Sequence, residues 1–115
     1  MRLLLILAAM LGTTSLSASE NLGSTDPLLD NEAVQAVRHT YPPGSESGMH
    51  SHDYPFRVVY VLEGGTAEIV PQDSTKATRT ITFKEGMTMY VPAATHNVRN
   101  VGETQIRLLE IELKP

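Results

Sequence analysis

The chain contains no cysteine and no tryptophan. Without cysteine there is no disulfide framework, no thiolate metal ligand and no thiol nucleophile. Long hydrophobic runs are missing too. The apolar stretch Leu3 to Leu11 covers nine residues, whereas a membrane-spanning helix needs about 20. Basic charge is in deficit, with 9 Lys and Arg against 13 Asp and Glu and a formal net charge of -4 at pH 7. That sign excludes the electrostatic footprint of a nucleic-acid or anionic-membrane partner. No stretch carries an apolar period of 3.6 long enough for an amphipathic helix. A nucleophile-elbow serine and a phosphate-cradling glycine loop are both absent.

At 115 residues the expectation is one domain. Residues 1–19, MRLLLILAAMLGTTSLSAS, have a positive start at Arg2, a short apolar centre and a small, polar tail. These features predict a secretory signal peptide cleaved before Glu20, with Ser17 and Ser19 at the small-residue positions. A soluble periplasmic or secreted protein follows as the expectation, with no membrane contact after cleavage. Removal of this segment takes away Arg2 and no acidic residue, so the remaining chain is one unit more negative. A chain this short buries a modest core, and oligomerisation is a common supplement. A homodimer is therefore expected.

Residues 20–32 (ENLGSTDPLLDNE) are polar and punctuated by Gly, Pro and Asp, which predicts an arm or linker. Residues 33–115 form the predicted domain, and their texture is β throughout. Strands are predicted over 33–41, 48–52, 56–63, 66–70, 79–83, 87–91, 96–101 and 105–113, from short runs rich in Val, Ile, Thr and Tyr between turn residues. Gly64-Gly65 reads as a hairpin turn using positive φ, and Gly86 and Gly102 mark two more turns. About eight short strands without helices predict an all-β barrel or jelly roll.

The chemistry concentrates in GSESGMHSHDYPFRVVYVLEG, residues 44–64. Successive strand side chains point to opposite faces, so His50 and His52 project the same way. A further histidine, His96, follows 44 residues after His52, between VPAAT and NVRN. Imidazoles converging inside a barrel suit a divalent transition metal such as Fe, Mn, Ni, Cu or Zn.

The order Gly44, five residues, His50, one residue, His52, then a β run ending at Gly64 resembles the first motif of the cupin family. Gly86, five residues, Pro92, three residues, His96, three residues, Asn100 resembles its second motif. The resemblance covers Ala33 to Leu113. It implies a double-stranded β-helix barrel, with His50, His52 and His96 at the positions that carry the metal in metal-binding members.

Two departures stand out. Ala94 replaces a glycine of the second motif, and the gap to the histidine is one residue short. More consequentially, the carboxylate that the family places three or four residues after the second histidine is missing, and those positions hold Phe56 and Arg57. A guanidinium about 5 Å from a divalent ion, at an effective dielectric of about 20, costs roughly 6–7 kcal/mol. That removes between about four and five decades of affinity. An inward Arg57 therefore needs a neutralising carboxylate, unless Phe56, Val58, Tyr60 and Leu62 line the barrel and Arg57 turns outward. The site is then at most three histidines, with positions open to water or substrate.

Beside a structural or assembly protein whose arm and outer sheet make a homodimer, two function classes remain open. In one, a metal held by His50, His52 and His96 acts on or binds a small molecule, with oxygenase- or isomerase-like chemistry. In the other, a metal-free, non-catalytic barrel holds a small, possibly anionic ligand, with Arg57 as counter-charge and Phe56 and Tyr60 beside it. His39 is read as an exposed strand histidine, Glu46 and Asp53 as solvated carboxylates, and Asn100 as a residue bonding backbone at a turn.

Overall fold

A computed structural model describes residues 21–115. The expected signal segment and its cleavage point before Glu20 lie outside the described residues. Nine strands follow one another: β1 Ser24–Asp30, β2 Val34–Tyr41, β3 His50–Ser51, β4 Phe56–Glu63, β5 Gly65–Pro71, β6 Arg79–Phe83, β7 Thr88–Pro92, β8 Thr95–Asn100 and β9 Ile106–Leu113. They form a five-stranded sheet in the order β1-β2-β9-β4-β7 and a four-stranded sheet in the order β3-β8-β5-β6. Every strand pairing is antiparallel. The predicted all-β class and each predicted strand are present.

The segment read as an arm or linker is an edge strand over Ser24–Asp30, paired with β2. Its composition hides it from pattern reading. Pro27 cannot donate to a ladder, a restriction tolerated at an edge. The register shifts between Pro27 and Leu29, a bulge of the kind that blunts exposed edges.

Gly64-Gly65 is not a hairpin turn. β4 belongs to the five-stranded sheet and β5 to the four-stranded one, so the pair carries the chain between sheets. Neither glycine has positive φ; Gly44, Gly48 and Gly86 do. Gly64 is needed for close approach instead, because a Cβ there would sit 2.3 Å from the Phe83 carbonyl oxygen.

The core lies between the sheets, where Val61, Ala67 and Ile106 are fully buried. Burying a side chain such as Val61 or Ile106 contributes about 1.5–3 kcal/mol. Asn100 locks one end of this core. Its Nδ2 donates to the carbonyls of Tyr41 and Thr104, both at 2.8 Å, and its Oδ1 accepts from Gly102 N at 3.1 Å.

Register settles which face of β4 looks inward. Arg57 pairs with Glu112, Val59 with Glu110 and Val61 with Leu108, while Phe56, Val58 and Tyr60 pair with Leu113, Ile111 and Leu109. Val59 and Val61 are buried, so the first set faces the core. Arg57 follows them inward and is 4% exposed. Phe56 and Tyr60 stand on the outer face, at 41% and 40% exposure.

Candidate metal centre

β3 and β8 bring the histidines together. His50 lies directly opposite His96 in the antiparallel ladder, and Ser51 opposite Thr95, so both imidazoles leave the same face. Gly48, at φ 77°, turns the chain into this short strand. Ser47 then anchors it, its N donating to Val98 O at 2.8 Å and its Oγ accepting from Val98 N at 2.9 Å. His52, two residues beyond His50, returns to the same face, and its N donates to Ala94 O at 3.2 Å.

The three rings meet through one kind of atom. His52 Nε2 is 3.1 Å from His50 Nε2 and 3.1 Å from His96 Nε2. Ring centroids are 4.8 to 5.1 Å apart, with the rings set edge-on to one another. The opposite nitrogens hold the tautomers. His50 Nδ1 donates to Gly48 O at 2.9 Å, and His52 Nδ1 donates to Glu112 Oε1 at 2.5 Å. A carbonyl and a carboxylate can only accept, so in the neutral rings of His50 and His52 the proton sits on Nδ1 and the lone pair on Nε2. Lone pairs aimed at one another repel unless a cation lies among them.

Protonation of His96 or His50 does not relieve that repulsion. Burial is the main cause holding His96 down to about 4, with the neighbouring His50, His52 and Arg57 adding to it. His50 is also lowered, again chiefly by burial. Neutral imidazole is the metal-binding form. At a nitrogen–metal distance of about 2.1 Å, a 3.1 Å edge subtends an angle closer to a right angle than to a tetrahedral one. The donor set thus fits a transition ion capped on one side, with its other positions open.

Behind the triad stand two buried carboxylates that sequence reading did not find. Glu110 and Glu112 sit on β9, on the same inward face as Ile106 and Leu108. Glu112, 6% exposed, accepts the hydrogen bond from His52 Nδ1, while its Oε2 is buried without a hydrogen-bond partner among the described residues. Glu110 Oε2 lies 3.1 Å from Arg57 Nε, and Arg57 Nη1 donates to Pro92 O at 2.9 Å. Burial pushes the Glu110 carboxyl up. The His39 hydrogen bond and the charges of His39, His52 and Arg57 outweigh it, so the net shift is downward. The inward Arg57 therefore has its neutralising carboxylate.

His52, Glu110 and Glu112 also form a group of potential ligands. Its histidine atom is Nδ1, already committed to Glu112, and Glu110 is committed to Arg57. These carboxylates buttress the triad. His39, read as exposed, is instead half-buried, with Nδ1 at 2.9 Å from Thr25 Oγ1 and Nε2 at 3.2 Å from Glu110 Oε1. Glu46 faces Arg99 at 3.7 Å, away from the histidines.

A cavity of about 350 Å³ adjoins the triad, lined by His39, His50, Arg57, Arg79, His96 and Glu110 and otherwise mainly by apolar side chains. Phe56 and Tyr60 are not part of it; Phe56 stacks on Tyr90 outside, with centroids 4.8 Å apart.

Residues 37–112 match the cupin domain family, Cupin_2. The chain belongs to that family. A curated relative, the oxalate-binding protein of Thermotoga maritima, is 30% identical over 84 residues, covering 72% of this chain and 64% of the relative. This cupin thus spans just under two thirds of that protein's length. A cupin domain from Bordetella pertussis superposes with a TM-score of 0.74 at 27% identity, covering 82% of this chain and 95% of that one. An RmlC-like cupin from Methanocaldococcus jannaschii, with a double-stranded β-helix fold, gives a TM-score of 0.63 at 16% identity, covering 92% and 94%. The barrel implied by the two motifs is therefore the fold of this cupin.

Proposed function

We propose that this cupin holds a divalent transition metal through His50, His52 and His96 and takes a small carboxylate at the metal's open positions. The observation that carries this reading is the convergence of the Nε2 atoms at 3.1 Å, with the Nδ1 atoms of His50 and His52 bonded outward. A bound ion supplies Lewis acidity or an oxygen-activating centre, which would serve oxygenase- or isomerase-type chemistry as well as binding. The chain's own residues do the rest. Glu112 orients His52, Glu110 neutralises Arg57, and the largely apolar wall of the cavity shapes the space beside the triad.

The carboxylate is supported by the relative named for binding oxalate and by the charge balance. Arg57 is already matched by Glu110, and Glu112 adds a second buried acid. An anion therefore has little reason to enter without the metal, which weighs against the metal-free module. Isothermal titration of oxalate into metal-loaded and chelator-stripped protein tests this. Heat of binding from the loaded form alone is expected; equal binding by the stripped form moves the function to the metal-free module.

The same reading includes export to the periplasm or medium, through residues 1–19, and a homodimer. The outer face of the large sheet offers uncharged Phe56, Tyr60 and Tyr90 to solvent, a surface compatible with a copy of itself in a two-fold contact. An intact mass starting near Glu20 and a dimer by light scattering are the expected outcomes. A full-length cytosolic product, or a monomer at high concentration, would remove these parts.

A further inference from the structure

Arg79 opens β6, and it faces inward. It lies opposite Ile69, which lies opposite Val98 on the next strand. Val98 is buried, and Ile69 packs on the core. Cross-strand partners share a face, so Arg79 projects on the inner side of the four-stranded sheet, in line with Ile81 and Phe83. It is nevertheless exposed.

Its position links two spaces. Arg79 lines the cavity beside the triad and also a wider surface cleft, and His96, Ile69 and Ala94 line both as well. The cleft is therefore the mouth of the cavity, with Arg79 at the junction. Lys76 and Asp73 also line this mouth. Asp73 is occupied, accepting from Thr75 N at 3.0 Å and Thr75 Oγ1 at 2.7 Å.

The arginine has nothing to hold. Arg38, Arg57, Arg99 and Arg107 each face a carboxylate within 4 Å; among the described residues, Arg79 alone of the arginines has no ion pair. A solvated guanidinium on the inner face of this mouth, without a counter-charge, is free to take a carboxylate through paired N–H···O bonds.

We infer that Arg79 is a specificity residue selecting a dianion, a short dicarboxylate, over monocarboxylates. This rests on the proposed metal-dependent carboxylate site. One carboxylate goes to the metal side, and the other meets the Arg79 guanidinium at the mouth. Charge agrees: a divalent ion with Arg57 and Arg79, set against Glu110 and Glu112, leaves a surplus that a dianion cancels and a monoanion does not.

The test compares oxalate with acetate, titrated into the metal-loaded full chain, wild type and Arg79→Gln, with protein-bound metal measured in each sample. Arg79 is exposed and makes no ion pair, so the variant is expected to fold and keep its metal. Expected is oxalate bound about tenfold or more tighter than acetate by wild type. In Arg79→Gln the oxalate affinity falls by about that factor and acetate changes little. An oxalate-to-acetate ratio that is the same in both proteins overturns the role of Arg79 and leaves the metal–carboxylate reading standing. Failure of wild type to bind either anion overturns both.

Discussion

His52 and Glu112 form the short contact on which the site turns: Nδ1 stands 2.5 Å from Oε1, with both side chains buried. The family resemblance implies a carboxylate on the strand after the second histidine, and Arg57 stands there instead. Here a carboxylate reaches the same histidine from β9 and grips the nitrogen that faces away from the other two rings. It serves to orient the donor and raise its basicity.

Glu112→Gln keeps the shape and removes the charge. Loss of such a carboxylate–histidine partner lowers metal affinity by about 10- to 100-fold. Competition titration against a coloured chelator measures it. A change under about threefold would show that His52 needs no charged partner.

Glu110→Gln strands Arg57, which is buried at 4% exposure. Removing one member of a buried ion pair costs about 3–5 kcal/mol. Denaturant unfolding of the metal-free protein reads this, and Arg57→Met with Glu110→Gln is expected to recover most of the loss. If the single variant costs under about 1 kcal/mol, the pair is not what holds Arg57 inside.

Acid should act on the metal-free protein in two windows. His96, held near 4, stays neutral in the fold while the unfolded chain takes up a proton from about 6.5 downward. Stability from this group therefore falls as pH drops from about 6.5 toward 4, then levels off, and His50 shifts in the same direction. Glu110, lowered in the fold, contributes stability that is lost only as pH falls below its unfolded value of about 4.5. Melting temperatures between pH 8 and pH 4 check the first window. A flat profile there would mean the histidines protonate freely.

Much of this was legible in the residues. Alternation and turn residues located β2 to β9, and His-x-His with a later histidine located the triad, because imidazole pairs at strand period share a face. β1 was not legible: Pro27 and its polar neighbours lack the alternation of a half-buried strand. The inward direction of Arg57 stayed open because β4 is apolar on both faces, one buried in the core and one lining the outer sheet. Glu110 and Glu112 could have been found. They alternate in step with Ile106 and Leu108, and two acids continuing a core-facing row need a buried reason. The crossover at Gly64-Gly65 looked like a hairpin because a glycine pair signals either positive φ or close approach, and only the sheet assignment separates them.

Gly64→Ala tests the second of those causes. A Cβ at 2.3 Å from the Phe83 carbonyl oxygen meets backbone that cannot easily move, so a destabilisation of about 1–3 kcal/mol is expected. An unchanged melting temperature would mean that the crossover shifts without cost.

Metal content is the most direct measurement of all. Elemental analysis of gently purified protein, wild type beside His96→Ala, should find about one transition ion per chain in the first and little in the second. Wild-type protein that carries no metal, and whose melting temperature no divalent ion raises, would contradict the triad as a metal centre.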